Sequence, residues 1–166
     1  MYCRDSDREF PDLEVFRLGF RSDRLRRLQI IVIFEKKIVM RISPDRIDKL
    51  RADEIFVFGS NLAGMHAGGA ARLAWQKFGA VWGQGVGLQG QSYAIPTMQG
   101  GVETIRPYVE EFVGFAKRHP QLRFLVTEIG CGIAGFTPRE IAPLFEAART
   151  VENICLPERF WQVLNR

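Results

Sequence analysis

The sequence is poor in the residues that build metal centres and disulfide frameworks. Its three cysteines, Cys3, Cys131 and Cys155, share no ligand-like spacing, and there are only two histidines. That pattern indicates no metal site and no disulfide scaffold, and it fits reduced thiols in a cytoplasmic protein. Long hydrophobic runs are lacking too. The longest apolar stretch, Ile30 to Phe34, falls far short of the roughly 20 residues that span a bilayer. The first residues, Met1 to Asp7, are charged and lead into no apolar segment, so neither a secretory leader nor a membrane partner is expected. No glycine-rich loop ends in Gly-Lys-Ser or Gly-Lys-Thr, which argues against a nucleoside triphosphatase. The first such loop reads Gly-Ser-Asn-Leu-Ala-Gly rather than Gly-x-Gly-x-x-Gly, which argues against a dinucleotide oxidoreductase.

What is present is an ordinary globular composition. Of 166 residues, 46% are apolar and 25% charged, enough for one core and too few residues for two full domains. The net charge of +4 is uneven, with 12 Lys and Arg against 9 Asp and Glu over residues 1–50, and 11 against 10 over residues 51–166. The excess includes the run Arg21 to Arg27. That run is short, contains Asp23 and has no interleaved aromatic, so it reads as a solvated face or arm and nucleic acid is not expected as its partner.

Residues 1–50 read as a basic N-terminal extension. Leu28–Phe34 and Lys37–Ile42 have the pattern of a hairpin, and Ser43-Pro44-Asp45 has the signature of a short helix running to Leu50. Residues 51–166 read as one α/β domain. Ile55–Phe58 is a compact apolar strand, followed by a small-residue loop and a helix bearing Leu73, Ala74, Trp75 and Phe78, with Gly79 placed to stop it. A second glycine-rich stretch, Gly83–Gln91, leads into the strand Ser92–Ile95. Thr104–His119 predicts the longest helix and Leu122–Thr127 a strand ending at a third glycine-rich loop. Thr137, Pro138 and Glu140 then form a capping signature for a helix burying Ile141, Leu144, Phe145 and Ala148, before a last strand over 151–156. This alternation predicts a three-layer α/β/α domain with a mixed or mostly parallel central sheet. Ligands in such folds gather beyond the carboxyl ends of the strands, where both the 59–69 and the 130–135 loops would emerge.

Each residue that could carry chemistry there has a plainer alternative. Asn61 can orient a ribose hydroxyl or a water, or cap its own loop. His66 can serve as a base or sugar contact, or be a lone histidine in an exposed loop. Glu128 is a water-activating carboxylate or a solvated charge, and Cys131 a nucleophile without a base or a packing residue. Phe136 either covers a sugar or joins the core. Gln84, Gln89 and Gln91 offer neutral amides, and Thr97 is a turn hydroxyl or a pocket wall.

The segments Phe56 to Ala71, Ser92 to Thr97 and Phe124 to Phe136 resemble those of a bacterial and phage family related to macro domains, over roughly residues 53–157. The resemblance implies the macro-domain fold and binding of ADP-ribose, with several relatives removing ADP-ribose from proteins, nucleic acids or small esters. It implies that Gly59, Ser60, Asn61, Gly68 and Gly69 form one side of the ligand site, with Asn61 near the distal ribose. It implies that Gly130, Cys131, Gly132, Ile133, Ala134, Gly135 and Phe136 wrap the diphosphate and end at an aromatic beside the ribose. Asp53 is a candidate for the acidic residue that reads adenine, and the first loop lacks the fuller Asn-x-x-Leu-x-Gly-Gly-Gly form. The functions in view are ADP-ribose binding with hydrolysis of an ADP-ribosyl bond, Asn61 and His66 being its catalytic candidates, a non-catalytic sensor of a nucleotide metabolite, or a phage-associated interaction protein. None requires a cofactor or a metal, and the sequence carries no signal for oligomeric state.

Overall fold

In the computed structural model, residues 4–5 and 41–166 are described. The 28–34 strand of the expected hairpin and the Arg21–Arg27 run lie outside those residues. Two short strands, β1 (Arg4–Asp5) and β2 (Arg41–Ile42), pair antiparallel. The main sheet has five strands: β3 (Glu54–Ser60), β4 (Gly87–Gln89), β5 (Ser92–Pro96), β6 (Arg123–Val126) and β7 (Ile154–Cys155), in the order β4-β5-β3-β6-β7. All neighbours are parallel except the β4–β5 hairpin, which makes the sheet mixed and mostly parallel.

The sequence of β3 explains its central place. Ile55, Phe56, Val57 and Phe58 are all buried, as a strand covered on both faces requires. Alternation then divides its side chains between two cores. Ile55 and Val57 join Phe112, Phe124, Phe145 and Trp161 under helix α2 (Arg106–Arg118), α3 (Pro138–Ile141) and α4 (Glu158–Leu164). Phe56 and Phe58 join Ala71, Ala74 and Phe78 under helix α1 (Gly69–Lys77) on the other face. Helices therefore cover both faces of the sheet.

Several local signals act as the sequence suggests. Gly79 (φ +77°) follows α1, where the Ala80 N–H donates to Ala74 O at 3.1 Å. Ahead of α3, the Thr137 N–H and Oγ1–H both donate to Glu140 Oε2 at 2.7 Å, and these bonds hold the Glu140 carboxyl below its usual range. After α3 the chain tightens into 3-10 turns over Ala142–Thr150, with Pro143 in the first of them, still burying Leu144, Phe145 and Ala148. The carbonyls at the end of α2 are met by Asn153, whose Nδ2 lies 2.9 Å from Ala116 O and 3.0 Å from both His119 O and Leu122 O.

The expected helix at 45–50 is absent, and this stretch is a strap without regular secondary structure. Only Ile47 is buried there and Leu50 partly so, which gives six residues no continuous apolar stripe with which to stabilise a helix. The last strand is likewise shorter than expected, only Ile154–Cys155. Residues 41–43 are sewn to the sheet edge rather than belonging to a separate appendage. The Ser43 N–H donates to Leu156 O and the Leu156 N–H to Arg41 O, both at 2.9 Å. Ser43 Oγ donates to Val126 O at 2.7 Å, and Trp161 Nε1 to Arg41 O at 3.0 Å. The buried Arg41 guanidinium satisfies Ile154 O and Arg149 O, each at 3.1 Å.

Replacing Arg41 strips donors from these carbonyls. Arg41→Ala should cost roughly 1–3 kcal/mol of folding free energy, read as a lower midpoint in urea denaturation. An unchanged midpoint would place residues 41–43 outside the cooperative unit.

Candidate functional site

The topology creates a crevice at the carboxyl ends of β3 and β6. From β3 the chain leaves through α1 towards β5, and from the adjacent β6 it leaves through α3 towards β7. The two connections diverge to opposite faces, which opens the sheet edge at a topological switch point. Three strand ends meet there closely. A Cβ built on Gly59 would lie 3.2 Å from Thr97 Oγ1 and 3.3 Å from Gly130 N, one contact from each neighbouring loop.

A cleft of about 370 Å³ lies over this junction, a size suited to a small-molecule ligand. Of the residues expected to hold ligand, Gly59, Ser60, Asn61, Gly68 and Gly69 line it from the β3 side. Gly130, Gly132, Ile133 and Ala134 line it from the β6 side. Ile133 reaches across to the opposite loop, its Cδ1 standing 3.0 Å from the position of a Cβ on Gly68, and remains 73% exposed over the mouth. The floor also includes Thr97, Thr127 and Ile129, with Met65 and Met98 on the walls. Of these, Thr97 was expected as a turn hydroxyl or pocket wall, whereas Met65, Met98 and Ile129 carried no signal, since apolar residues beside a glycine loop look like core in a sequence.

The electrostatics of the cleft favour an anion. Helix α1 starts at the cleft with no side-chain cap and no acidic residue in its first turn. The N–H groups of Gly69, Ala70 and Ala71 precede the first backbone bond of the helix, Arg72 N–H to Gly68 O at 3.1 Å, and all three residues line the cleft. Opposite them, Gly132, Ile133 and Ala134 have backbone N–H groups with no backbone partner among the described residues. Gly130–Gly135 also has Gly-x-Gly-x-x-Gly spacing after a strand. Its following helix α3 has only four residues and begins at Pro138, beyond the last glycine, so the loop lacks the helix N-terminus that a dinucleotide fingerprint uses.

Asn61 lines the cleft, but its amide is bound within its own loop. Oδ1 accepts the Met65 N–H at 3.0 Å and Nδ2 donates to Met65 O at 2.9 Å. Among the described residues Glu128 is the only carboxylate on the cleft wall, and it pairs with Arg159 at 2.8 Å. It also borders a second cavity of about 870 Å³, which shares Gly69, Ala70 and Thr127 with the first and extends over Asp45, Asp48 and Arg159. This cavity was not legible in the sequence, because its walls come from the strap, β6 and α4. Asp53 lines neither cavity. Its carboxylate pairs with Arg51 at 3.3 Å.

Four expected ligand or catalytic residues lie elsewhere. His66 is fully buried rather than exposed. Its ring lies edge-on to Phe58 and to Trp82, with centroids 5.3 Å and 6.4 Å away, and Nε2 lies 3.0 Å from Val81 O. A carbonyl only accepts, so Nε2 carries the proton, and the other nitrogen, Nδ1, is buried with no partner. His66 thus fastens two loops together and does not reach the cleft. Phe136 packs on the main core and against Gly130, and neither it nor Gly135 lines the cleft. Cys131 also turns to the core, where burial pushes its thiol up to about 11, far from a nucleophilic thiolate at neutral pH. Of the glutamines, Gln89 is buried between the Val81 N–H and Gln84 O, and Gln91 donates to Arg51 O. Both are structural braces. Among the described residues no group of three or more His, Cys, Asp or Glu side chains is arranged to hold a metal.

Comparison with protein-family models, curated proteins and solved structures returned no match.

The two glycine loops differ in what they tolerate. At Gly64 (φ +64°) a Cβ would stand 2.2 Å from Gln84 N, whereas at Gly132 it would meet nothing within 4 Å. Gly64→Ala should therefore lower the melting temperature by several degrees, while Gly132→Ala should leave it within about a degree. Alkylation of Cys131 by iodoacetamide, followed by peptide mass mapping, should be slow at pH 8 and rise steeply only as pH approaches 11, where the thiol ionises.

Proposed function

We propose that this chain is a macro-domain-like protein that binds ADP-ribose or a closely related nucleoside-diphosphate sugar. The observation that carries the reading is the pair of opposed backbone N–H sets, at the uncapped start of α1 and at Gly132–Ala134, facing one cleft. A diphosphate fits between them, stabilised by fixed dipoles without a metal. The second cavity, joined to the first at Gly69 and Thr127, has the room and the carboxylates Asp45 and Asp48 to take the nucleoside end. The sugar at the other end lies by Asn61, Thr97 and Met98. Binding to a nucleotide metabolite is the core of the proposal, and the cytoplasm, where such metabolites circulate, is its expected setting.

Hydrolysis of an ADP-ribosyl bond is a second reading, and Glu128 is the observation that favours it. It is the one carboxylate lining the cleft among the described residues, and it pairs with Arg159 at 2.8 Å. In that role Glu128 takes a proton from a water held at the sugar. His66, buried behind Phe58 and Trp82, has no part in either reading.

Calorimetric titration with ADP-ribose, with AMP and ribose 5-phosphate for comparison, tests the proposal. Saturable binding is expected, tightest for ADP-ribose, and at a hundredfold excess over Kd it should stabilise the fold by about 2.7 kcal/mol. Gly132→Leu should abolish the heat while the fold is retained. No heat with any of the three ligands, together with an unshifted melting temperature, would sink the assignment.

A further inference from the structure

From Asn61 to Val102 the chain contains no Asp or Glu, and its charged side chains are Arg72 and Lys77. This stretch builds the β3–α1 loop, α1 and the β4–β5 hairpin. It also carries a cluster of exposed apolar side chains, Leu62 and Met65 on the loop, Trp75 on α1, and Val81 and Trp82 on the turn after it. The loop and the turn are held together by the Gly83 N–H donating to Gly64 O at 3.0 Å and by His66 Nε2 on Val81 O. Trp75 and Trp82 consequently meet with ring centroids 5.4 Å apart at 61°, each about half open to solvent at 47% and 50%. Arg72 stands one turn before Trp75 on the exposed side of α1 and makes no ion pair among the described residues.

We infer that this face binds single-stranded nucleic acid, with bases stacked on Trp75 and Trp82 and a backbone phosphate against Arg72. Indoles exposed in pairs offer stacking surface that every base can use. A segment of 42 residues without a carboxylate places no repulsive charge beside a polyanion. A duplex hides its base faces within the stack, so the aromatic pair selects single strands. The residues invoked are not those of the Arg21–Arg27 run, and the inference does not rest on the proposed ligand of the cleft, although Met65 borders both.

The test is fluorescence anisotropy of a labelled 12-nucleotide oligothymidine, and of a duplex of equal length, titrated with the full chain at two salt concentrations. The single strand should bind more tightly than the duplex. Trp75→Ala and Trp82→Ala should each weaken it about 5- to 100-fold, with Trp75→Phe restoring most of the loss. Arg72→Ala should reduce the salt slope by about 0.7. Gly132→Leu should leave oligonucleotide affinity within about twofold even as it removes ADP-ribose heat, so the failure of either reading is seen separately. Three outcomes overturn the inference: no binding, binding indifferent to both tryptophans but lost on replacing Arg24, Arg26 and Arg27, or a concentration-dependent dimer that buries Trp75 in place of the oligonucleotide.

Discussion

Burial of one strand on both faces sets the geometry of everything else. β3 is apolar at Ile55, Phe56, Val57 and Phe58, so no side of it can face water. Parallel neighbours on each edge and helices on each face are the arrangement that satisfies such a strand. Once β5 and β6 run alongside β3 in the same direction, their carboxyl ends share one edge of the sheet, and the connections leaving that edge must part. The cleft is the gap left where they part. Its backbone N–H groups come as a by-product, since a helix that begins at a sheet edge has unpaired donors there.

Chemistry in the cleft is dominated by main chain. Side chains on its wall are small, apolar or, like the Asn61 amide, already engaged. This composition suits recognition of an anion by position and dipole. Among the described residues it supplies one carboxylate, Glu128, and no free histidine or thiolate beside it.

The fold was legible in the sequence wherever local pattern and tertiary demand agreed. β3 is an uninterrupted apolar run, α2 repeats apolar residues at helical spacing, and Thr137 with Glu140 marks the start of α3. The glycines of the two cleft loops were legible for the same reason, since backbone exposure at strand ends has few other causes. The side-chain roles were not. His66 and Phe136 lie in glycine-rich loops and look accessible in one dimension, yet burial against Phe58 and Trp82, or against Gly130, turns them inward. The strap at 44–50 imitates a helix start through Pro44, but too few of its residues bury apolar surface. The second cavity was invisible because Asp45 and Arg159 are brought together only by the folded sheet.

The fastening of the β3–α1 loop has a mechanical consequence. Ser60 Oγ donates to Gly85 O at 2.5 Å, the Gly83 N–H holds Gly64 O, and a Cβ on Gly85 would lie 2.2 Å from Asn61 O. Backbone rests on backbone, with no long side chain between them to take up slack. The β3–α1 loop and the turn ahead of β4 therefore brace each other backbone to backbone, and the head of α1 follows directly from that braced loop. The entropy of ordering this loop is lost when the chain folds.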